Sequence, residues 1–327
     1  MSTAAAALAT LGLLLAGCSS TTTSGQAGRC PLTDLPAPGG SVPGRPALAV
    51  KVENLPVARP QYGLGEADVV YEEPVEGGIT RFVVVYQCRD SARIEPIRSA
   101  RIVDPAIVDQ FGRHPLFAYS GGIGPAVAAV QSSSLVDVGV DRAPGAYFRD
   151  AARPSPHNLA SSTHALYTAA SSDQSSAAPP ASVFSYGPAP SGAAPTASVH
   201  IAYPASDVTW RWDAETHAWL RSYSNGQAAA TAEGGQISAA NVVVMKVVVY
   251  PSPYVEDATG VHENLVTLTG SGSAQVFRGG VTVKGTWSRP SRRETTRYLD
   301  ASGRDIALAD GITWVELVPT TVPVTTG

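Results

Sequence analysis

The chain has 327 residues and a mass of 33.7 kDa, enough for two domains of ordinary size. Hydrophobic residues make up 44% and charged residues 15%, which supports packed cores and excludes a disordered chain. With 23 basic and 27 acidic residues the net charge is -4, which excludes a globally basic nucleic-acid binder, and three cysteines are too few for a disulfide-dense scaffold or a four-cysteine zinc site.

Residues 1–17 read MSTAAAALATLGLLLAG. The uncharged run from Ala4 to Ala16 is short for a bilayer span and has the shape of the apolar region of a secretory signal, although no basic residue precedes it. It ends in Leu15-Ala16-Gly17-Cys18, which resembles a bacterial lipobox. That resemblance implies cleavage to leave Cys18 at the N-terminus, its acylation, and a lipid anchor on the extracytoplasmic face of the cell membrane. Export places Cys30 and Cys88 in a disulfide-permissive compartment. With Cys18 lipidated they are the two thiols left and are expected to pair, pinning the start of the mature domain to the end of a strand. Residues 19–44, rich in Ser, Thr, Gly and Pro, read as a flexible tether.

Structure is expected to begin at Arg45-Pro46. Residues 47–54 (ALAVKVEN), 68–73 (DVVYEE) and 79–88 (ITRFVVVYQC) predict strands, the last two joined as a hairpin through Pro74-Val75-Glu76-Gly77-Gly78. Residues 103–111 predict a short helix, 115–119 (PLFAY) a buried strand, and Gly124-Pro125 the start of a helix with proline in its first turn. A further amphipathic helix is expected over 159–171, so strands and helices alternate through 45–190. Residues 171–198 are mostly Ser, Ala, Pro and Gly and read as a linker, with Val183-Phe184-Ser185-Tyr186 packing back on the first domain. From 199 to 320 short strands dominate. NVVVMKVVVYPS (241–252) reads as one central strand buried on both faces, and Gly279-Gly280 as a hairpin turn. The fold class is α+β: a mixed α/β N-terminal domain over 45–190, then a mainly antiparallel β C-terminal domain over 199–320.

Beyond Cys18 the cations are 20 Arg and 3 Lys. Arg59, Arg81, Arg98, Arg101, Arg149 and Arg153 stand beside Gly, Pro, Ser or Thr, and a guanidinium fork suits bidentate recognition of phosphate or carboxylate. Pro96-Ile97-Arg98-Ser99-Ala100-Arg101 sets two arginines three residues apart, so a turn at Ser99-Ala100 would let both clamp one anion. Ion pairs of Arg81 and Arg98 with Glu72, Glu73 or Glu76 are the structural alternative. Tyr119-Ser120-Gly121-Gly122 lies between a strand and a helix, where backbone N–H groups are offered to an anion. Glu72 and Glu73, adjacent on a strand, point to opposite faces. His157 stands just before a helix, as a cap or a ligand contact, and the six histidines show no metal-binding spacing.

Long stretches carry a family likeness. RPALAVKVENLPVARPQYGLGEADVVYEEPVEGGITRFVVVYQ, EPIRSARIVD, LFAYSGG, PHNL, GSGSAQVFRGGVTVKGTWSRP and DGITWVELVP together resemble the YerB-like lipoproteins, over residues 31–319. The resemblance implies an exported two-domain lipoprotein and supplies no reaction. A fainter similarity, to the LytR-CpsA-Psr envelope enzymes, lies in the order of Asp68, Ile97-Arg98-Ser99 and Tyr119-Ser120-Gly121-Gly122. It implies a polyprenyl-phosphate class of ligand, although Ser99 follows Arg98 where those enzymes pair Arg with Asp.

The resulting expectation is a cell-envelope lipoprotein that binds an anionic, phosphate-bearing ligand at Arg81, Arg98, Ser99, Arg101, Ser120, Gly121, Gly122 and His157. No cofactor, metal or nucleic-acid partner is expected. The alternatives are a phosphoglycosyl-transfer enzyme acting on lipid-linked precursors, and a scaffold for other envelope proteins.

Overall fold

Runs rich in Val, Ile and aromatic residues form strands throughout the chain, in a computed structural model that describes Met1 and residues 28–170, 178–256 and 260–327. Cys18 and the signal-like run lie outside the described residues. The N-terminal part contains β1 (Leu48–Glu53), β2 (Val69–Pro74), β3 (Thr80–Tyr86), α1 (Asp104–Val108), β4 (Leu116–Ala118), α2 (Gly124–Gln131), β5 (Val136–Asp137), β6 (Phe148–Arg149), β7 (Leu159–Ala160) and α3 (Thr163–Ala169). The C-terminal part begins with β8 (Ala194–Pro195), β9 (Ser198–Ile201), β10 (Val208–Asp213), β11 (Ala218–Tyr223) and β12 (Ser238–Ala239). It continues with β13 (Asn241–Val247), β14 (Val249–Val255), β15 (His262–Val266), β16 (Gly270–Arg278), β17 (Val281–Arg289), β18 (Arg297–Leu299), β19 (Thr313–Pro319) and β20 (Val324–Thr326).

The two domains share one sheet. Its order is β18-β17-β16-β13-β19-β2-β3-β1-β4-β5, with β8 added beside β17. The join is β19, which runs parallel to β13 on one side and to β2 on the other. Successive side chains of a strand leave opposite faces, and here both faces are covered. Val50, Val52, Val70, Phe82, Val84, Val242 and Trp314 pack against Val199, Ile201, Trp210 and Trp219 of the smaller sheet β12-β11-β10-β9-β20. Ala49, Tyr71, Val83, Val85, Val243 and Val315 pack against Ile107, Val108 and Phe111 around α1 and Val130 of α2.

The expected mixed α/β character of the first domain is corrected to mainly β. Its helices are five, eight and seven residues long. Part of the stretch expected as one helix over 159–171 is strand β7, which pairs with β6, and Ser162 starts α3 by accepting the Ala165 N–H at 3.1 Å. The continuous strand expected over 241–252 also divides: β13 stays in the main sheet, whereas β14 leaves it to form a separate hairpin with β15.

Residues 28–44, expected as tether, are folded onto the body. Leu32 is fully buried, Cys30 N–H donates to Leu35 O at 2.8 Å, and Cys30 is disulfide-bonded to Cys88, as the cysteine count led us to expect. Val183 and Phe184 are buried too, but Phe184 stacks on Tyr298 of β18, so this segment packs on the second domain rather than the first.

Candidate functional site

The site is built on the α1/α2 face of the sheet, at the ends of β1 and β3. On antiparallel strands, directly opposed residues project to the same face. Arg81 stands opposite Glu53 on β1 and Glu73 on β2, and this register sets a row of charges into an otherwise apolar surface. Lys51 lies two residues before Glu53 on the same face, fully buried between Glu73 and Asp104, the latter at 2.7 Å. Burial, reinforced by the Asp104 charge, pushes the Glu73 carboxyl up to about 8 against the pull of Lys51.

The segment 97–101 is laid across the end of β1 by backbone hydrogen bonds. Arg98 N–H donates to Lys51 O at 2.9 Å, Ser120 N–H to Arg98 O at 2.9 Å, and Ala100 N–H to Gly121 O at 2.9 Å. The arginine segment and the Ser120-Gly121-Gly122 turn, expected to cooperate, are therefore direct neighbours. Gly122 is required here: its φ is +152°, and a Cβ would stand 3.2 Å from Ala100 O. The turn leads into α2, whose N-cap residue Ile123 offers no side-chain cap; Pro125 has no N–H, and the Ala126 and Val127 N–H groups donate to Ile123 O at 2.9 and 3.1 Å.

The two arginines of this segment go different ways, which corrects the picture of a paired clamp. Arg101 has 1% of its side chain exposed. Its Nε donates to Glu76 Oε2 at 2.9 Å, its Nη2 bonds Glu76 Oε1, and Nη2 also lies 2.9 Å from Glu256 Oε1. Arg81 is nearly as buried, with Nη1 donating to Ser99 O at 3.2 Å and Nη2 3.4 Å from Glu76. Burial, with the neighbouring Arg101 charge, lowers its guanidinium to about 10. Both arginines thus point inward onto Glu76 because the hairpin between β2 and β3 carries that carboxylate over them.

Arg98 points the other way. Its side chain is 22% exposed, and its contact with a charged group is Nε to Glu53 Oε1 at 3.4 Å. The other oxygen of Glu53 meets His157 Nδ1 at 2.8 Å, with His157 18% exposed. One buried carboxylate therefore orients a guanidinium and an imidazole at the protein surface. The capping role open to His157 belongs to Ser162 instead. Glu53 was not singled out from sequence, yet it organises this pair. Its signal was the alternation of Lys51 and Glu53 within an apolar strand, which marks charges forced to face a common partner set.

The remaining arginines are held by the fold. Arg59 donates to Asn54 O at 2.8 Å, Arg149 to Asn158 Oδ1 at 2.8 Å, and Arg153 to Pro60 O at 2.6 Å. On the opposite face, Glu72 pairs with Arg221 at 2.8 Å, and Arg221 lies 3.3 Å from Glu316, each at most 1% exposed. Glu316 also accepts the Trp210 indole N–H at 2.8 Å. This ionic core is sealed between the sheets. Glu72 and Glu73 do face opposite sides. Among the described residues no group of three or more His, Cys, Asp or Glu side chains is arranged to hold a metal ion.

The family described as protein of unknown function (DUF3048), N-terminal domain, matches residues 32–176, and the companion C-terminal domain matches 199–315. The chain belongs to the DUF3048 family. A relative, "Putative lipoprotein YerB" of Bacillus subtilis (strain 168), is 27% identical over 311 residues, covering 89% of this chain and 86% of its own. The crystal structure of YerB protein from Bacillus subtilis superposes with a TM-score of 0.74 at 22% identity, over 91% of this chain and 99% of that one. At that identity the likeness shows the fold alone.

Proposed function

We propose that this chain is an exported lipoprotein, anchored through Cys18 at the extracytoplasmic face, whose N-terminal domain binds a phosphate-bearing envelope ligand. The observation that carries the ligand reading is Arg98: a partly exposed guanidinium with one long ionic contact, set beside His157 by the same buried Glu53. Ser99, Ser120, Gly121 and Gly122 flank it just before α2, the positive end of whose dipole favours an anion. Arg81 and Arg101 act as framework, since both pair with Glu76, Arg101 with Glu256 as well, and this holds the segment 97–101 in place. The name of the Bacillus relative and the lipobox-like Leu15–Cys18 stretch support the anchoring half of the reading.

Two measurements test the two halves. Titration with inorganic phosphate and a short-chain polyprenyl phosphate, followed by 31P NMR, is expected to show binding that falls at least about tenfold in Arg98→Ala and in His157→Ala, as loss of a charge-assisted hydrogen bond requires. Wild-type protein that binds neither probe removes the ligand reading. For the anchor, Cys18→Ala is expected to move the protein from the membrane to the soluble fraction; a variant that stays membrane-bound removes it.

A further inference from the structure

A cleft of about 550 Å³ opens where the two domains meet, lined by neither Arg98 nor His157. Its volume falls in the range typical of small-molecule sites, and domain junctions are a preferred place for them. The N-terminal domain contributes Arg59, and the C-terminal domain contributes Asp207, Tyr223, Ser224, Asn225 and Gln227.

These groups are pre-positioned. The Arg59 guanidinium lies 3.9 Å over the Tyr223 ring, and its Nε and Nη2 are fixed by Asn54 Oδ1 and Asn54 O at 3.2 and 2.8 Å. Among the described residues its Nη1 makes no hydrogen bond. Asp207 has one oxygen on His200 Nε2 at 2.8 Å, and among the described residues the other makes no hydrogen bond. The loop after β11 is closed by Gly226 N–H to Tyr223 O and Tyr223 N–H to Gln227 O, both at 2.9 Å, while Asn225 Oδ1 accepts Gln227 N–H at 2.9 Å. Asn225 Nδ2 also donates to Gln227 Oε1 at 3.4 Å, so the side-chain amides sit on an exposed, hydrogen-bonded turn.

The chemistry of the lining selects a class. One cation and one carboxylate leave the cleft without net charge, which disfavours a phosphate. Two planar amides, a phenol and the hydroxyls of Ser206 and Ser224 supply both donors and acceptors, the mixture that paired hydroxyl groups satisfy. Pro56, Pro60, Ala228 and Ala230 give the same cleft an apolar wall, suited to the C–H face of a sugar ring and to an acetamido methyl. We infer that this interdomain cleft binds a neutral saccharide carrying an N-acetyl group. The inference is independent of the phosphate reading, since the two sites share no residue.

Saturation-transfer difference NMR on the chain without its first 27 residues tests it, with N,N′-diacetylchitobiose as probe and cellobiose as the acetamide-free control. Transfer to the acetyl methyl protons is expected, with affinity reduced at least about tenfold in Gln227→Ala and in Arg59→Ala, variants whose melting temperatures verify that they fold. Arg98→Ala is expected to bind the disaccharide as wild type does. No transfer to chitobiose, equal transfer to cellobiose, or undiminished transfer in both cleft variants overturns the inference.

Discussion

Two arginines three residues apart, Arg98 and Arg101, are chemically the same group in different surroundings, and their substitution separates the roles. Arg101→Ala leaves Glu76 and Glu256 facing each other without their shared cation. Removing one partner of a buried pair typically costs about 3–5 kcal/mol, and urea denaturation is expected to show a loss of that size. Arg98→Ala removes a partly exposed side chain with one 3.4 Å contact, and its effect on the same denaturation midpoint is expected within about 1 kcal/mol. A large loss at Arg98 with none at Arg101 would invert the assignment of framework and ligand contact. Both arginines were visible in the sequence, but their difference was not. It depends on Glu76, Glu256 and Glu53 arriving from other elements, and nothing within the hexapeptide Pro96–Arg101 encodes which guanidinium turns inward.

The β14–β15 hairpin belongs to the second domain but latches onto the first. Asn264 Nδ2 donates to Val75 O at 2.8 Å, Glu256 pairs with Arg101, and the fully buried Glu263 accepts the Ile102 N–H with one oxygen while, among the described residues, Oε2 has no hydrogen-bond partner. Burial, aided by the Glu256 and Asp104 charges, pushes the Glu263 carboxyl up to about 7 despite the Ile102 N–H and Arg101. A carboxyl raised on folding makes the native state bind the proton more tightly. Its contribution to stability is complete below the unfolded value of 4.5 and is lost as pH rises through about 7. Glu73 acts with the same sign up to about 8. For Glu76, burial pushes upward but the Arg101 bonds and charge, with Arg81, bring it below 4.5, so it acts in a separate, more acidic window. The melting temperature is expected to fall between pH 5 and pH 8, and Glu263→Gln to flatten part of that slope. An unchanged slope in Glu263→Gln removes the latch from the account. Strand alternation predicted the hairpin turns elsewhere in this domain; it did not predict that 241–252 splits, because Val248 marks the departure only through the sheet partners available on either side.

Because β19 lies between β13 and β2, neither domain owns a complete sheet. Calorimetry is expected to show one cooperative unfolding transition, and two resolved transitions would contradict the shared sheet. The N-terminal domain expressed alone, ending near residue 190, would expose β2 as an unpaired edge, which is an association hazard. The Cys30–Cys88 bridge, with a sequence separation of 58, secures the N-terminal segment to the residue just beyond β3. In the chain-entropy treatment a loop of that length is worth about 4 kcal/mol, so Cys30→Ala with Cys88→Ala is expected to lower the urea midpoint strongly while the sheet itself still forms.

The sequence by itself determined the strands β1, β2 and β3, the helices starting at Asp104 and Gly124, the Gly279-Gly280 hairpin and the disulfide pairing. Each of these rests on local periodicity, on proline and glycine chemistry, or on a cysteine count, all carried by nearby residues. It also delivered the family likeness, through long contiguous motifs. Only the tertiary structure decided that the first domain is mainly β, that residues 28–44 are packed rather than tethered, and that Phe184 docks on the second domain. It alone showed Glu53 holding both Arg98 and His157, and the cleft between Arg59 and Tyr223. Those features bring together residues about 45 to 165 positions apart, whose partners are chosen by sheet register and by the competition for buried charge, and neither is written in any short window of the chain.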